Sequence, residues 1–436
     1  MNGSRLLPLV LLLAWCAATA PAQLVTGRLS TAFYTWEQFD TVGTSQQYLR
    51  AYQTAQLTIA QGDVSLTTFL QGTTNLAGSF GEAGRVRFYN LYLTWANIGK
   101  MVDLHLGRQG IFAGVGVGTI DGLSAKARLF QNKVTVTGYG GSSVGPEFTG
   151  VRKNMHDNYF FGGQVVTSMV PGARIGLSYM NRHEERDPYW TLRARDTSFA
   201  PVPYYVTFDS PAEELGSADA RYDYGDRFSV YGRYDHDFLN QRTSRAQGGA
   251  RVQLTPQLSV NADYIHRVPR VFYNSIFSAF VTNSVDDLEG GAEYAFTPLL
   301  RLFGRMAWVS YTDEKSHRWT LGLNTNYGSV AYAGSDGYAG ELTSFSVQGS
   351  YPFFGRVVIP TAGISYASYR LSKESTRDNA FALLLGAAVR PVSAFSCDIQ
   401  AQWLTNKLMQ RDLRAQLRLN YWFSERLSLI HGEGKQ

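Results

Sequence analysis

Between Leu24 and Phe423 the chain reads as about twenty segments of strand length in which apolar and polar residues alternate. The pattern is clearest over Arg411 to Phe423. Leu413, Ala415, Leu417, Leu419, Tyr421 and Phe423 share one parity, and Asp412, Arg414, Gln416, Arg418 and Asn420 share the other. Successive side chains on a strand point to opposite faces, so each segment has one greasy face and one wet face. Repeated this often, with no helical period in between, the alternation predicts an all-β fold: a single transmembrane antiparallel β-barrel with lipid outside and water inside.

Turn residues punctuate the segments. Short turns are expected at Gly62-Asp63, Asn97 to Lys100, Gln131-Asn132, Pro171-Gly172, Gly225-Asp226, Thr255-Pro256, Thr297-Pro298, Tyr351 to Gly355 and Arg390-Pro391. Longer polar stretches alternate with them: Glu37 to Gln46, Gly72 to Gly84, Gln109 to Asp121, Gly141 to Asp157, His183 to Pro211, Val268 to Asp286 and Leu371 to Asp378. Barrels of this kind keep short turns on the periplasmic side and long loops outside, which assigns the two sets. Counting between these marks gives about 22 strands, within a range of about 18 to 24, with Tyr327 to Ala333 as a short strand that makes the number even. Gln23 leads straight into the first strand, so no plug domain is expected.

Ahead of the barrel, Arg5, the apolar run Leu6 to Ala18 and Ala20-Pro21-Ala22 have the form of a secretory signal peptide over 1–22. The run is shorter than a spanning helix needs. Cys16 follows Trp15 where a lipoprotein signal carries a small residue, so it belongs to the leader. The expected organisation is a leader over 1–22, a barrel over 23–423 and a tail over 424–436, in the outer membrane of a Gram-negative-type bacterium. The mature chain keeps only Cys397, which excludes an internal disulfide.

Composition fits this picture. Mean hydropathy is −0.18, as expected where half of each strand faces water. The 43 glycines, 26 tyrosines and 25 phenylalanines suit tight turns and interfacial aromatic girdles. Formal charge is +5, or +4 once Arg5 leaves with the leader, too little to imply nucleic acid. The polar parity of the strands contains Arg50, Lys126, Arg128, Arg174, Arg301, Arg305, Arg318, Arg414 and Arg418, with fewer acids, among them Asp103, Asp235, Asp263, Glu289, Glu293, Asp398 and Asp412. A basic lumen attracts anions. Glu289 and Glu293 lie one hairpin from Arg301 and Arg305, an arrangement that suits cross-strand ion pairs.

The least ordinary stretch is Leu106-Gly107-Arg108-Gln109-Gly110, followed by Gly114-Val115-Gly116-Val117-Gly118 and Asp121-Gly122-Leu123. It lacks the strand–helix context of a nucleotide fingerprint. Glycine would let it fold inward as a constriction, with Lys126 and Arg128 just below on the next strand. Tyr89 to Trp95, Gly107-Arg108-Gln109, Asp121-Gly122-Leu123 and Gly138-Tyr139-Gly140-Gly141 together resemble the corresponding region of outer-membrane porins of the alginate-export type, over residues 85–141. The resemblance implies a monomeric, positively lined barrel passing polysaccharide or small polar solutes, with Arg108, Lys126 and Arg128 in the pore.

The loop His183 to Pro211 carries Tyr189, Trp190, Phe199, Tyr204, Tyr205 and Phe208. Two readings stay open: stacking on a solute, Tyr189, Trp190, Tyr204 and Tyr205 being the contact residues, or packing of the loop on itself. Seven scattered histidines make no metal-ligand pattern, so neither enzyme chemistry nor a cofactor is expected. The expectation is thus a passive channel for small polar or anionic solutes, with polysaccharide export as a variant. Its partners are outer-membrane lipid, lipopolysaccharide and the barrel-assembly machinery. The alternative is a sheath around a periplasmic partner such as a multihaem cytochrome.

Overall fold

The computed structural model describes residues 23–427 apart from 40–44, 79–83, 146, 149, 151–153, 186–188, 196–199, 208–210, 272–282, 313, 338–339, 373 and 410. The leader expected over 1–22, Phe199, Phe208 and the tail from 428 onward lie outside the described residues. No helix among the described residues is long and apolar enough to cross a membrane. Strands do the crossing.

The first nine strands are β1 (Gln23–Phe39), β2 (Ser45–Gln61), β3 (Val64–Ala77), β4 (Arg85–Ile98), β5 (Val102–Ala113), β6 (Gly116–Leu129), β7 (Val134–Ser143), β8 (Tyr159–Thr167) and β9 (Ala173–Arg182). A separate hairpin follows, β10 (Tyr189–Arg195) with β11 (Ala200–Val206). The wall resumes with β12 (Glu213–Tyr224), β13 (Phe228–Asp237), β14 (Arg242–Gln253), β15 (Leu258–Arg267), β16 (Val285–Thr297), β17 (Leu300–Tyr311) and β18 (Glu314–Thr325). It is completed by β19 (Gly328–Gly337), β20 (Glu341–Ser350), β21 (Val358–Arg370), β22 (Asp378–Val392), β23 (Phe395–Thr405) and β24 (Asp412–Leu427). Each wall strand pairs antiparallel with its neighbours, and β24 closes on β1 from Gln23↔Leu427 to Thr35↔Ala415. The result is a closed 22-stranded barrel with no free edge.

Register turns the sequence alternation into two faces. Leu419 and Leu417 stand opposite Thr31 and Phe33 on β1 and Cys397 and Ile399 on β23. Carried around the wall, the same face shows Leu91, Leu93, Trp95, Leu106, Leu123, Val136, Val165, Leu177, Leu321, Phe345 and Ile364, all large, apolar and exposed. An apolar band of this kind is stable only against lipid. The opposite face, with the arginines and carboxylates, encloses the lumen.

Several details differ from the sequence reading. Arg390-Pro391 is not a turn: both residues lie in β22, and the turn falls at Ser393-Ala394. The ladder with β23 slips there between Val389 and Val392, where the proline lacks the N–H a regular ladder needs. β24 runs past Phe423, because Ser424 to Leu427 pair with Gln23 to Thr26. Gln109 to Asp121 is no loop: β5 and β6 continue through it, leaving a turn only at Gly114-Val115. The stretch Tyr327 to Ala333 falls largely within a longer strand, β19.

The short turns, with the ends of β1 and β24, share one rim. The other rim carries, among the described residues, 154–158, 183–185, 211–212 and 268–271. With Cys397→Ser as background, an impermeant thiol reagent on intact cells is expected to label His156→Cys and not Gly172→Cys. The reverse labelling would invert the assignment of sides.

Candidate functional site

About 22 strands spaced ~4.8 Å apart and tilted by ~40° give a backbone circle roughly 40 Å across, so something must narrow the lumen. The β5–β6 hairpin does so. Pairing of β4 with β5 stops at Leu91↔Arg108, although β4 begins at Arg85. Beyond that point the hairpin leaves the wall and lies across the lumen face of β7, β8, β9 and β12. There Ile111, Ala113, Val115 and Ile120 form a buried cluster with Tyr139, Phe160, Met180 and Leu215. Phe112, 84% exposed, and Val117 turn to the remaining opening.

Polar groups fasten the hairpin. Val115 N–H donates to Ser178 Oγ (2.9 Å), and Arg182 Nη2 donates to Val117 O (2.5 Å). Arg182 also packs over the Phe160 ring at 4.4 Å and pairs with Glu213 at 3.3 Å. The glycines make this contact feasible by their lack of a side chain. A Cβ on Gly114, where φ is +64°, would lie 2.1 Å from Ser178 Oγ, and one on Gly116 would lie 1.9 Å from the Tyr139 hydroxyl oxygen. The inward fold was expected, but as a flexible loop rather than a strand pair docked on the wall.

Arg108 is not a pore residue. At 7% exposure it sits where the hairpin bends inward, in a two-pronged pair with Asp121 (Nε–Oδ1 and Nη2–Oδ2, both 2.7 Å), and donates to Phe88 O at 3.2 Å. It shares the parity of Leu106, and β5–β6 register sets Asp121 directly across from it, on the same face. Phe148, between β7 and β8, lies against β4 beside the gap the hairpin leaves, with Phe88 N–H donating to Phe148 O (2.9 Å). Arg128 is also displaced from its expected role. It lies ~26 Å along β6 from Ile120, near the short turn, and is held by Asp103 at 2.5 and 2.8 Å. Lys126 is exposed on the lumen face two residues higher.

Most other lumen arginines come with carboxylates. Arg301 pairs with Glu293 (3.3 Å), Arg305 with Glu289 (3.9 Å), and Arg318 with both Asp287 (3.0 Å) and Glu289 (3.1 Å). Arg414 is held by Asp412 at 2.6 Å. These are wall pairs, neutral in sum. Arg50 donates to Asn75 (2.8 Å) and lies over Trp36 at 5.8 Å. Arg174 is exposed on the lumen face of β9, and Arg418 lines the wall on β24. Sequence reasoning missed Arg28, which register places on the lumen face beside Ser30 and Asn420. It also missed a lumen stack of Tyr34 on Trp36 (5.3 Å) and Trp36 on Tyr48 (5.2 Å).

The expected aromatic loop contains the β10–β11 hairpin rather than irregular chain. Tyr189 pairs with Val206, Trp190 with Tyr205 and Thr191 with Tyr204, and the Trp190 and Tyr205 rings are 5.0 Å apart. Trp190 stays 70% exposed. No group of His, Cys, Asp and Glu among the described residues is placed to hold a metal.

No family model matches the chain, and no curated protein matches it, so the alginate-export resemblance stands without a family match. Solved structures similar to it include a BenF-like porin from Pseudomonas fluorescens, 12% identical, covering 92% of this chain and 99% of that one with a TM-score of 0.43. The translocation pore of the P pilus usher PapC is 9% identical, covering 93% and 100%, with a TM-score of 0.47. OccK2 (OpdF) of Pseudomonas aeruginosa in complex with glucuronate is 11% identical, covering 92% and 98%, with a TM-score of 0.42.

Proposed function

We propose that this chain is an outer-membrane channel that passes small polar solutes, anions preferred, by diffusion. The observation that carries the reading is the lumen itself: a closed barrel with an apolar outer band, a polar interior, and a hairpin docked inside that narrows the opening without sealing it from the wall arginines. Those arginines that lack a carboxylate leave a net positive lumen, and fixed charge between low-dielectric walls favours anions. Arg418, Arg28, Arg174 and Lys126 are the residues proposed to set this preference. Arg301, Arg305, Arg318 and Arg414 are proposed to act as scaffold. The docked hairpin weighs against a sheath for a folded partner, since it occupies the space such a partner needs, and it also disfavours passage of a bulky polysaccharide.

Proteoliposomes carrying the purified protein are expected to swell in small sugars and organic acids at rates that fall as solute size rises. Swelling no faster than in empty liposomes, with the barrel folded, would contradict the channel.

A further inference from the structure

We infer that the wall where β24, β1, β2 and β3 meet holds a binding site for a hydroxylated anion of monosaccharide size, with its acid group between Arg28 and Arg418. The inference rests on the channel reading above and adds a substrate class and a place.

A cavity of about 380 Å³ lies there, within the size range of small-molecule sites. Arg28, Arg418, Tyr34, Tyr52, Phe69 and Gln71 are among its lining residues, and no carboxylate lines it. That sets it apart from its counterpart on β12 to β17, a cavity of about 400 Å³ where Arg221, Arg251 and Arg305 are balanced by Asp263, Glu289 and Glu293. The nearest acid in register is Asp398, directly across from Arg418, and its carboxylate accepts instead from Asn420 Nδ2 at 3.1 Å. Neither Arg28 nor Arg418 has an ion-pair partner among the described residues, and Arg28 Nε is buried with no hydrogen-bond partner at all. A buried guanidinium N–H without an acceptor is costly, and an oxyanion in the cavity would supply one. Two guanidiniums facing one space favour an anion over any neutral solute.

The rest of the lining selects what the anion is attached to. The Tyr52 hydroxyl and the Gln71 amide offer hydrogen bonds, and Gln71 is positioned by the Tyr89 hydroxyl on its Oε1 (3.0 Å). The Phe69 ring, stacked on Tyr89 at 4.8 Å, gives one apolar wall. A ring with hydroxyls at its rim and C–H groups on its face uses all three, whereas a bare inorganic anion uses only the arginines. The Tyr34–Trp36–Tyr48 stack continues from this cavity toward the outer end of β1 and β2, an aromatic path to the site.

The test is interruption of single-channel current by glucose 6-phosphate, glucuronate and glucose added to purified protein in planar bilayers. The two acids are expected to block at millimolar concentration and glucose not at all, and the acid that blocks at the lower concentration identifies the acid group as phosphoryl or carboxylate. The double variant Arg28→Gln/Arg418→Gln should raise the half-blocking concentration at least about tenfold, the loss of charge-assisted hydrogen bonds, while Glu289→Gln/Arg305→Gln, a wall pair outside the cavity, should keep it. If the double variant forms no channels, Arg418→Gln alone reads the same shift. Open channels that neither acid blocks, or block that survives loss of the arginines, would overturn the site and leave the channel intact. Absence of any conductance would overturn the channel reading itself.

Discussion

Replacing Gly114 and Gly116 together by valine is expected to raise single-channel conductance about two- to threefold, because the lumen of a barrel this size is wide unless something occupies it. Val115, Ile111 and Ile120 are buried only because the backbone at the two glycines lies flat on Ser178 and Tyr139. A valine at Gly114 adds a β-branched side chain at a φ of +64° as well as a contact at 2.1 Å, so strain and overlap act together. The hairpin then lifts from the wall and the opening widens. Gly138→Val with Gly290→Val is the matched control, since a Cβ at either position meets nothing within 4 Å. Equal conductance in the two double variants would mean that the hairpin does not restrict the pore.

Leu321→Arg should fail to assemble where Thr320→Arg succeeds. Leu321 stands 54% exposed on the lipid face, and register pairs it with Gly304 and Tyr332. An arginine there costs ~2–4 kcal/mol near the bilayer midplane, enough to shift a folded barrel substantially toward the unfolded state. Thr320, one residue away, faces the lumen beside Arg305, where a further cation costs only like-charge repulsion in water. Folded fraction, read from heat-modifiable gel mobility and denaturant titration in lipid, should separate the two. Equal folding of both variants would undo the parity assignment, and with it every lumen residue named above.

Much of the wall was legible because a strand with one face in lipid and one in water must alternate, and Leu413 to Tyr421 does so without interruption. The hairpin was harder to read. Its glycine-spaced stretch from Ile111 to Ile120 lacks the apolar/polar alternation of the wall strands, which marked it as unusual and able to fold inward without showing that it is a strand pair docked on protein. The available signal lay elsewhere, in the apolar residues that break parity on the lumen face of the strands beneath: Phe160, Met180 and Leu215. A buried Phe160 opposite the lipid-facing Phe161 makes sense only if something covers it. Arg108 was misplaced because the stretch was read as a loop, and only β5–β6 register sets Asp121 directly opposite it. Arg28 was overlooked because β1 is weakly patterned, with Gly27 and Thr31 on the lipid face and Ala32 and Trp36 on the lumen face. Its side follows only from register with Leu417 and Leu419. Which arginines are neutralised was partly visible: the spacing of Glu289 and Glu293 from Arg301 and Arg305 predicted the observed pairs, whereas the second partner Arg318 gives Glu289 needed the fold.

The most direct test of the channel account is the zero-current potential of the purified protein in a planar bilayer under a potassium chloride gradient. The account predicts an open pore with chloride preferred over potassium, a preference that weakens as the Debye length falls from about 10 Å at 0.1 M to about 3 Å at 1 M salt. Arg418→Glu should move the potential toward cations, and Glu289→Gln with Arg305→Gln, a wall pair removed together, should move it little. A folded barrel that carries no current would contradict the account.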